Sequence, residues 1–337
     1  MTLADVAADA GVSPSTVSRV LTSSRPVGAD VAERVRESAT RLGYSGNGIA
    51  RALRSRRTDT VGMVVPSILN PFFTSLVDSL ERTLHGSGKQ LLLCDSRQDP
   101  AIEAEHLRAL VERHVDGIVV SPCDHEASIP AVTRTAAAVP LVQLDRRVEV
   151  PGTDWVGLDD HRALGMLLEH LRERGARIVA FVTSEMTNSS TIDRSRGFRE
   201  NAASLGLQVP PNAVVLGEFS VASGETAARA LLRVPDRPDA IVCADDLIAV
   251  GVLRACRDLG LRVPEDVQVT GIDDIELAGL VSPTLTTLAQ PTARMAEEAV
   301  RLLTLRASAA IGSGPAPEAS RLAFSPRLIT RESTRSS

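Results

Sequence analysis

The chain has 337 residues, of which 43% are hydrophobic and 23% are charged, and its formal net charge is −5. This length predicts two or three domains with sizeable cores. An aromatic content of 2% argues against a protein that binds single-stranded nucleic acid by stacking bases. Residues 1–57 contain nine arginines and five acidic side chains, a balance of +4, which leaves −9 for the remainder. A basic arm on an acidic body predicts an anion-binding module joined to a second part.

The sequence also indicates the cellular compartment in which the protein functions. No apolar run approaches the roughly 18 residues of a membrane span, and the N-terminus lacks the basic and apolar regions of a secretory signal. The cysteines at positions 94, 123, 243 and 256 have no CxxC spacing. We therefore expect a cytoplasmic protein with free thiols and no membrane partner.

The first forty residues predict two short helices around a glycine turn, followed by a third helix near 29–42. Thr2 suits the N-cap of the first helix, and Ser13 followed by Pro14 suits the start of the second. Gly11 permits the tight turn between them. This order is typical of a helix-turn-helix, although the spacing alone fits an ordinary three-helix bundle equally well.

The second helix carries the side chains that favour DNA. Arg19 can donate two hydrogen bonds to a guanine edge, and Ser15 can bond to a base edge or to the backbone. Val17, Val20 and Leu21 are expected to face the core. The arginines farther along suit phosphate contacts: Arg51, Arg54, Arg56 and Arg57.

From residue 60 onward, short apolar runs alternate with helical segments of 10–15 residues. The predicted strands include 61–65, 117–120 and 141–144, and the alternation restarts near residue 160 with strands such as 178–182 and 240–243. This pattern predicts an α/β body of two lobes with parallel sheets and a cleft between them. In open sheets of this kind, ligands bind beyond the carboxyl ends of the strands.

Polar and aromatic side chains follow several of these strands. Carboxylates accept hydrogen bonds from hydroxyl groups, a guanidinium donates them, and a phenyl ring packs on an apolar face, so the set suits a sugar-like ligand. Any single aspartate after a strand could equally be a helix N-cap. The candidates are Asn70, Phe72, Phe73, Asp145, Arg194, Asp245, Asp246, Asp273 and Asp274.

Other motifs carry no chemistry. Gly86-Ser87-Gly88-Lys89 lacks the spacing of a phosphate loop and is interpreted as a helix C-cap. Cys123-Asp124-His125 has no partner pair at metal-ligand spacing. Asp159-Asp160-His161 is interpreted as a helix cap, and Ser184–Ser190 as a loop without a catalytic base. We predict no enzyme, no metal and no cofactor.

The stretches Thr2-Leu3-Ala4-Asp5-Val6-Ala7, Ala10-Gly11-Val12-Ser13 and Thr16-Val17-Ser18-Arg19-Val20-Leu21 resemble the DNA-binding headpiece of the lactose-repressor family of bacterial regulators. Tyr44, Asn47 and Ala50-Arg51-Ala52-Leu53-Arg54 resemble that family's hinge helix. The resemblance implies that the second helix enters the major groove and that Leu53 wedges into the minor groove. It implies DNA contacts at Thr2, Leu3, Ser13, Pro14, Ser15, Thr16, Ser18, Arg19, Tyr44, Asn47, Ala50 and Leu53.

The headpiece departs from the family pattern at three positions. Gly46 stands where a proline is usual, and Gly28 and Val31 replace a serine and a threonine that touch phosphate. The glycine should make the hinge costlier to order on DNA.

The body resembles the same family and, more distantly, periplasmic sugar-binding proteins. Matching stretches include Val115-Asp116-Gly117-Ile118, Asp145-Arg146, Ala244-Asp245-Asp246 and Gly271-Ile272-Asp273-Asp274. The resemblance implies effector contacts at Phe72, Phe73, Asp145, Arg194, Phe219, Asp245, Asp273 and Gln290. It also implies a headpiece at 1–45, a hinge at 46–58 and a body at 59–333. Lobe 1 would hold about 59–157 and 291–320, and lobe 2 about 158–288 and 321–333.

These observations predict a helix-turn-helix headpiece on a two-lobed, periplasmic-binding-protein-like α/β body. The expected function is repression of transcription from palindromic double-stranded operator DNA, controlled by a sugar or sugar derivative bound between the lobes. A homodimer is expected, because the tail 331–337 carries no leucine heptad of the kind that would favour a tetramer. The alternative is a sugar-binding protein without a transcriptional role, which would need a secretion signal.

Overall fold

The computed structural model describes residues 1–22, 25–44, 58–311 and 318–336. The chain forms two compact units, residues 1–58 and 59–337, and each has its own hydrophobic core. The hinge residues Asn47, Ala50 and Leu53 lie outside the described residues.

The first unit contains the three predicted helices, α1 (Leu3–Ala10), α2 (Pro14–Thr22) and α3 (Ala29–Arg41). Val6, Val17 and Val35, one from each helix, are fully buried at its centre. Gly11 ends α1 with a φ of +65°, a left-handed conformation that favours glycine. The inward position of Leu21 was wrong, since its side chain is 39% exposed. It lies one residue, or about 100° of helix rotation, past Val20 and at the edge of the buried stripe.

The body contains twelve strands in its described residues. In chain order they are β1 Thr60–Val65, β2 Gln90–Asp95, β3 Gly117–Val120, β4 Leu141–Leu144, β5 Asp154–Leu158, β6 Val179–Ser184, β7 Val214–Gly217, β8 Ala240–Cys243, β9 Gln268–Asp273, β10 Thr286–Ala289, β11 Arg321–Phe324 and β12 Arg327–Ile329. Two six-stranded sheets result, with orders β11-β5-β4-β3-β1-β2 and β12-β10-β9-β8-β6-β7. All pairings are parallel except β10 with β12. The predicted α/β body with parallel sheets is confirmed.

Helices connect the strands and cover both sheets. They are α4 Pro71–Gly86, α5 Pro100–Glu112, α6 Ile129–Ala138, α7 Asp160–Glu173, α8 Ser189–Ser204, α9 Val221–Leu232, α10 Asp246–Asp258, a short 3₁₀ helix Glu276–Gly279 and α11 Thr292–Ile311. The motif at 86–89 is the C-terminal turn of α4, as predicted, with Gly88 at a φ of +73°. No helix of the described segments has the length and apolarity that crossing a membrane requires.

The chain passes between the two lobes three times. It leaves the first sheet after β5, returns to the first lobe in α11, and crosses again between β11 and β12. The third crossing was expected near residue 321. It lies at 325–326 instead, because Arg321–Phe324 pairs in parallel with Trp155–Leu158 in the first sheet.

Helix α8 begins inside the stretch Ser184–Ser190, which the sequence analysis interpreted as a loop. The side chain of Asn188 accepts a hydrogen bond from the backbone N–H of Thr191 at 3.0 Å and caps the helix. The loop therefore ends at Asn188, and Arg194 lies inside the helix.

Two glycines allow α9 and α10 to approach closely. A Cβ atom on Gly224 would lie 2.1 Å from the carbonyl oxygen of Ile248, and one on Gly251 would lie 2.1 Å from that of Val221. The helices therefore pack backbone against backbone, which holds their N-termini side by side at the cleft.

Candidate functional site

Helix α2 presents the polar face that the sequence predicts. Pro14, Ser15 and Arg19 are exposed, whereas Val17 and Val20 are buried beneath them. Ser13 caps the helix, since its hydroxyl accepts a hydrogen bond from the backbone N–H of Thr16 at 3.2 Å. The exposed face therefore stands on a fixed helix start and is free to meet a ligand.

Other expected DNA-contacting residues have structural tasks as well. The Thr2 hydroxyl accepts a hydrogen bond from the backbone N–H of Asp5 at 3.3 Å, and the Asp5 carboxylate accepts one from that of Thr2 at 2.7 Å. This reciprocal capping box closes the start of α1. Leu3 and Tyr44 are half-buried against the core of the headpiece. Their contact with DNA remains a prediction.

The cleft of the body gathers a set of charged and polar groups, here called the cleft cluster, which are buried except for the half-buried Asp273. It unites five of the expected effector residues with two that the sequence analysis did not select, Arg146 and Asp160. The members are Asp145, Arg146, Asp160, Arg194, Asp245, Asp273 and Gln290.

Arg194 and Asp160 form the tightest ion pair of the cluster. The Nε atom of Arg194 donates to Oδ1 of Asp160 at 2.7 Å, and Nη1 donates to the carbonyl oxygen of Ala244 at 2.6 Å. Burial raises the pKa of Asp160 to about 6, even with the guanidinium beside it. The capping role predicted for this motif belongs to Asp159, whose carboxylate accepts from the backbone N–H of Arg162.

Asp245 is a helix N-cap, one of the two interpretations that the sequence left open, and its contact with an effector stays a prediction. Its Oδ1 atom accepts from the backbone N–H of Ile248 at 2.8 Å and caps α10. Its Oδ2 atom lies 3.4 Å from Nδ2 of Asn70, which belongs to the other lobe. Burial raises the pKa of Asp245 to about 6. The carboxylate therefore caps a helix and also links the two walls of the cleft.

The neighbouring Asp246 is structural. Its carboxylate accepts hydrogen bonds from the Thr287 hydroxyl at 2.6 Å and from the backbone N–H of Ile275 at 2.9 Å. Burial raises its pKa to about 8. These bonds fix the loop that follows β9, where Asp273 lies.

Two aspartates of the cluster have unusual backbones. Asp145 has a φ of +65° and Asp273 a φ of +118°, and such strain in non-glycine residues concentrates at ligand sites. Gln290 donates to Oδ1 of Asp273 at 2.7 Å, while its own buried Oε1 atom has no hydrogen-bond donor among the described residues. Burial raises the pKa of both aspartates.

A cavity of about 350 Å³ opens between the lobes beside the cluster. Phe73 and Phe219 line it, and Phe72 is not among its described lining residues. Phe72 packs in the core of the first lobe with its ring 5.2 Å from that of Phe73. The expected effector contacts of all three rings stay predictions. The described lining residues are Pro66, Ser67, Leu69, Asn70, Phe73, Gln98, Arg146, Glu218, Phe219, Ser220, Val221 and Leu247.

The other candidate chemistry has no matching geometry. The described residues contain no group of three or more His, Cys, Asp or Glu side chains placed to hold a metal ion. The four cysteines are unpaired, and Cys123, Cys243 and Cys256 are buried. The chemistry of the cleft is therefore that of hydrogen bonding and charge.

Comparison with known proteins assigns both units. Residues 2–47 match the family of bacterial regulatory proteins of the lacI type, and residues 168–334 match the periplasmic binding protein-like domain. The HTH-type transcriptional repressor PurR of Aliivibrio salmonicida is 32% identical over 303 residues, which cover 90% of this chain and 91% of that protein. The PurR repressor of Haemophilus influenzae is 31% identical over 337 residues, or 99% of each chain.

Solved structures support the same family assignment. A complex of the transcriptional regulator CelR with cellobiose is 32% identical, covers 99% of both chains and has a TM-score of 0.74. The lac repressor dimer bound to operator and the anti-inducer ONPF is 25% identical, covers 100% of this chain and 99% of its own, and has a TM-score of 0.89. The chain therefore belongs to the lacI family of bacterial regulatory proteins, whose members are DNA-binding transcriptional repressors rather than enzymes.

Proposed function

We propose that this chain is a cytoplasmic homodimer that represses transcription from a palindromic operator and that a sugar-like effector in the cleft controls its DNA binding. The observation that carries the effector class is the cleft cluster beside two phenyl rings. Buried carboxylates and a guanidinium can exchange hydrogen bonds with hydroxyl groups, and Phe73 and Phe219 can pack on an apolar sugar face.

One relative supports a carbohydrate effector, and a second supports a small-molecule effector of DNA binding. The CelR structure is a complex with cellobiose, and the lac repressor structure contains the anti-inducer ONPF. Neither structure identifies the effector of this chain. They support the proposal that a ligand between the lobes acts on DNA binding in this chain too.

The DNA-binding half rests on α2. A dimer would present two copies of its exposed face, which carries Ser15 and Arg19, to two half-sites related by a two-fold axis. Leu53, which lies outside the described residues, would wedge into the minor groove between them. Free thiols and DNA as the partner support the cytoplasm as its location.

Selection from a random library of DNA duplexes tests this function. The full chain should enrich an inverted repeat, and Leu53→Ala should weaken binding to that repeat far more than binding to unrelated DNA. If no sequence is enriched, the repressor role is contradicted. If Leu53→Ala loses equal affinity for the repeat and for unrelated DNA, the minor-groove wedge is contradicted. A sugar-binding protein without a transcriptional role would give the first of these results.

A further inference from the structure

Arg146 is a buried cation whose hydrogen-bond donors are unused. Its side chain is 6% exposed, and a guanidinium has five N–H donors. Within the described residues no acceptor lies within hydrogen-bond distance of it, and the nearest carboxylate oxygen, Oδ2 of Asp145, is 4.0 Å from its Nε atom. Arg194, which is equally buried, instead donates to a carboxylate and to a carbonyl.

Two rings hold the Arg146 guanidinium in place. Its central carbon lies 5.4 Å from the ring centroid of Phe73 in the first lobe and 5.5 Å from that of Phe219 in the second. Cation–π contacts stabilise the charge, but they do not accept its N–H groups. All three side chains line the cavity, so the unused N–H donors of Arg146 adjoin a space large enough for a small ligand.

Two helix N-termini add to the positive field of this cavity. Its lining includes Asn70, the N-cap of α4, and Ser220, the N-cap of α9, and both caps are uncharged. Helix N-termini carry partial positive charge and favour anions. Among the described lining residues the acidic side chain is Glu218, and it is exposed to solvent.

We propose that the effector carries an oxyanion, a carboxylate or a phosphate, that accepts hydrogen bonds from Arg146 between Phe73 and Phe219. Its hydroxyl groups face the polar side chains of the cavity wall, Asn70, Gln98 and Ser220. The effector is thus an acidic carbohydrate derivative rather than a neutral sugar. This inference rests on the proposed function, because it specifies the ligand of the same cleft.

The physical reason is the cost of buried N–H donors that have no acceptor, since Asp145 supplies charge at 4.0 Å but no hydrogen bond. A neutral sugar would offer acceptors to Arg146 but no countercharge, whereas an oxyanion supplies both and can bind the guanidinium through two oxygens. Hydrogen bonds to charged groups contribute about 1.5–3 kcal/mol, which corresponds to roughly tenfold to a hundredfold in affinity.

The test is ligand binding by the full chain without DNA, measured by thermal shift and calorimetry at constant ionic strength. The panel contains common hexoses and pentoses, each with its uronate or aldonate and with its phosphate ester. At least one acidic member should bind about tenfold or more tightly than its neutral parent. The carboxylate and phosphate arms distinguish the two sources of the oxyanion.

Variants assign the preference to Arg146. Arg146→Gln should lower the affinity for the acidic ligand by about tenfold to a hundredfold and leave that for the neutral parent within about twofold. Arg146→Lys should recover part of the loss, because it keeps the charge. Arg147→Gln is the matched control. Arg147 is the next residue and pairs with Asp193 at 2.8 Å, but it is not among the described lining residues.

Three results would overturn the inference. A neutral sugar bound as tightly as its acidic derivatives would contradict the oxyanion and leave a sugar-controlled repressor intact. Equal loss of both ligands in Arg146→Gln would make Arg146 a structural link between the lobes. If no panel member binds, the proposed carbohydrate effector is contradicted as well. Selection of an operator from random DNA still tests DNA recognition separately.

Discussion

The headpiece and the cleft expose their functional side chains to opposite environments. In α2, Ser15 and Arg19 are exposed above an apolar core, and neither is needed to fill it. In the cleft, Asp160, Arg194 and Asp245 are buried, and they bond to one another or to the backbone. Substitutions of Ser15 and Arg19 should therefore affect binding alone, whereas substitutions in the cleft should affect folding and binding together.

The largest expected effect on stability comes from a substitution in the cleft. Arg194→Met leaves the carboxylate of Asp160 buried without its partner, so the free energy of unfolding of the body should fall by about 3–5 kcal/mol. Urea unfolding followed by the fluorescence of Trp155, the single tryptophan of the chain, measures this change.

The matched variant is Arg41→Ala in the headpiece, which breaks an ion pair with Asp9. The Arg41 side chain is 64% exposed, so little change in headpiece unfolding is expected by circular dichroism. A small loss in Arg194→Met would mean that the buried pair contributes no more than a surface pair.

The second effect is a pH dependence at Asp246. Its pKa is about 8 in the folded chain and about 3.9 in the unfolded chain, so the folded state retains a proton that the unfolded state releases. The free energy of unfolding therefore falls as pH rises from about 4 to 8, by at most about 1.4 kcal/mol per pH unit. Asp246→Asn should become more stable relative to the parent chain over this range.

Urea unfolding at pH 5, 6.5 and 8 measures that difference. Asp266→Asn is the control, because hydrogen bonding to Arg262 lowers the pKa of Asp266 to about 2 and the carboxyl is ionised at all three values. A difference between parent and Asp246→Asn that stays constant with pH would contradict the shifted pKa.

The third effect is on binding alone. Arg19→Ala should weaken binding to the selected operator by roughly tenfold to a hundredfold, because a base contact is worth about 1–3 kcal/mol, and thermal unfolding should not change. Arg36→Ala removes the same charge from an exposed position on α3. An equal loss in both variants, measured by fluorescence anisotropy, would mean that Arg19 supplies only charge.

The smallest effect concerns the capping box of α1. Thr2→Ala removes the hydroxyl that accepts from Asp5 and should cost the headpiece about 1 kcal/mol. Thr2→Ser keeps the hydroxyl and should retain that stability. Faster hydrogen exchange at the α1 amides in the alanine variant alone would confirm the cap, and equal exchange in both would contradict it.

Sequence-based prediction succeeded where structure depends on neighbours along the chain. The N-caps Thr2 and Ser13, the turn at Gly11 and the three- to four-residue spacing of buried valines define the headpiece locally. Eight strands were predicted from apolar runs. The strands β5, β10, β11 and β12 were not, because they are short and contain polar residues such as Asp154, Thr286 and Arg321.

Contacts between residues far apart in the sequence could not be predicted in this way. Arg194 meets Asp160 across 34 positions inside the second lobe, and Arg146 meets Phe73 across 73 positions inside the first lobe, so both contacts depend on strand order. The contact of Arg146 with Phe219, also across 73 positions, joins the two lobes and depends on how they close. Phe72 and Phe73 are adjacent in sequence and both pack in the core of the first lobe, and only the packing of α4 gives Phe73 a place in the cavity wall as well. Arg146 directly follows an expected site residue, which was the one available signal for it.

The most direct test of effector control is thermodynamic linkage between the cleft and DNA. The affinity of the full chain for its selected operator should be measured with and without a saturating amount of the panel carbohydrate that binds the cleft. Control of DNA binding predicts a change of about fivefold or more in operator affinity, and operator DNA should change the affinity for that carbohydrate by the same factor. Identical operator affinities with the cleft empty and with the carbohydrate bound would contradict effector control of DNA binding.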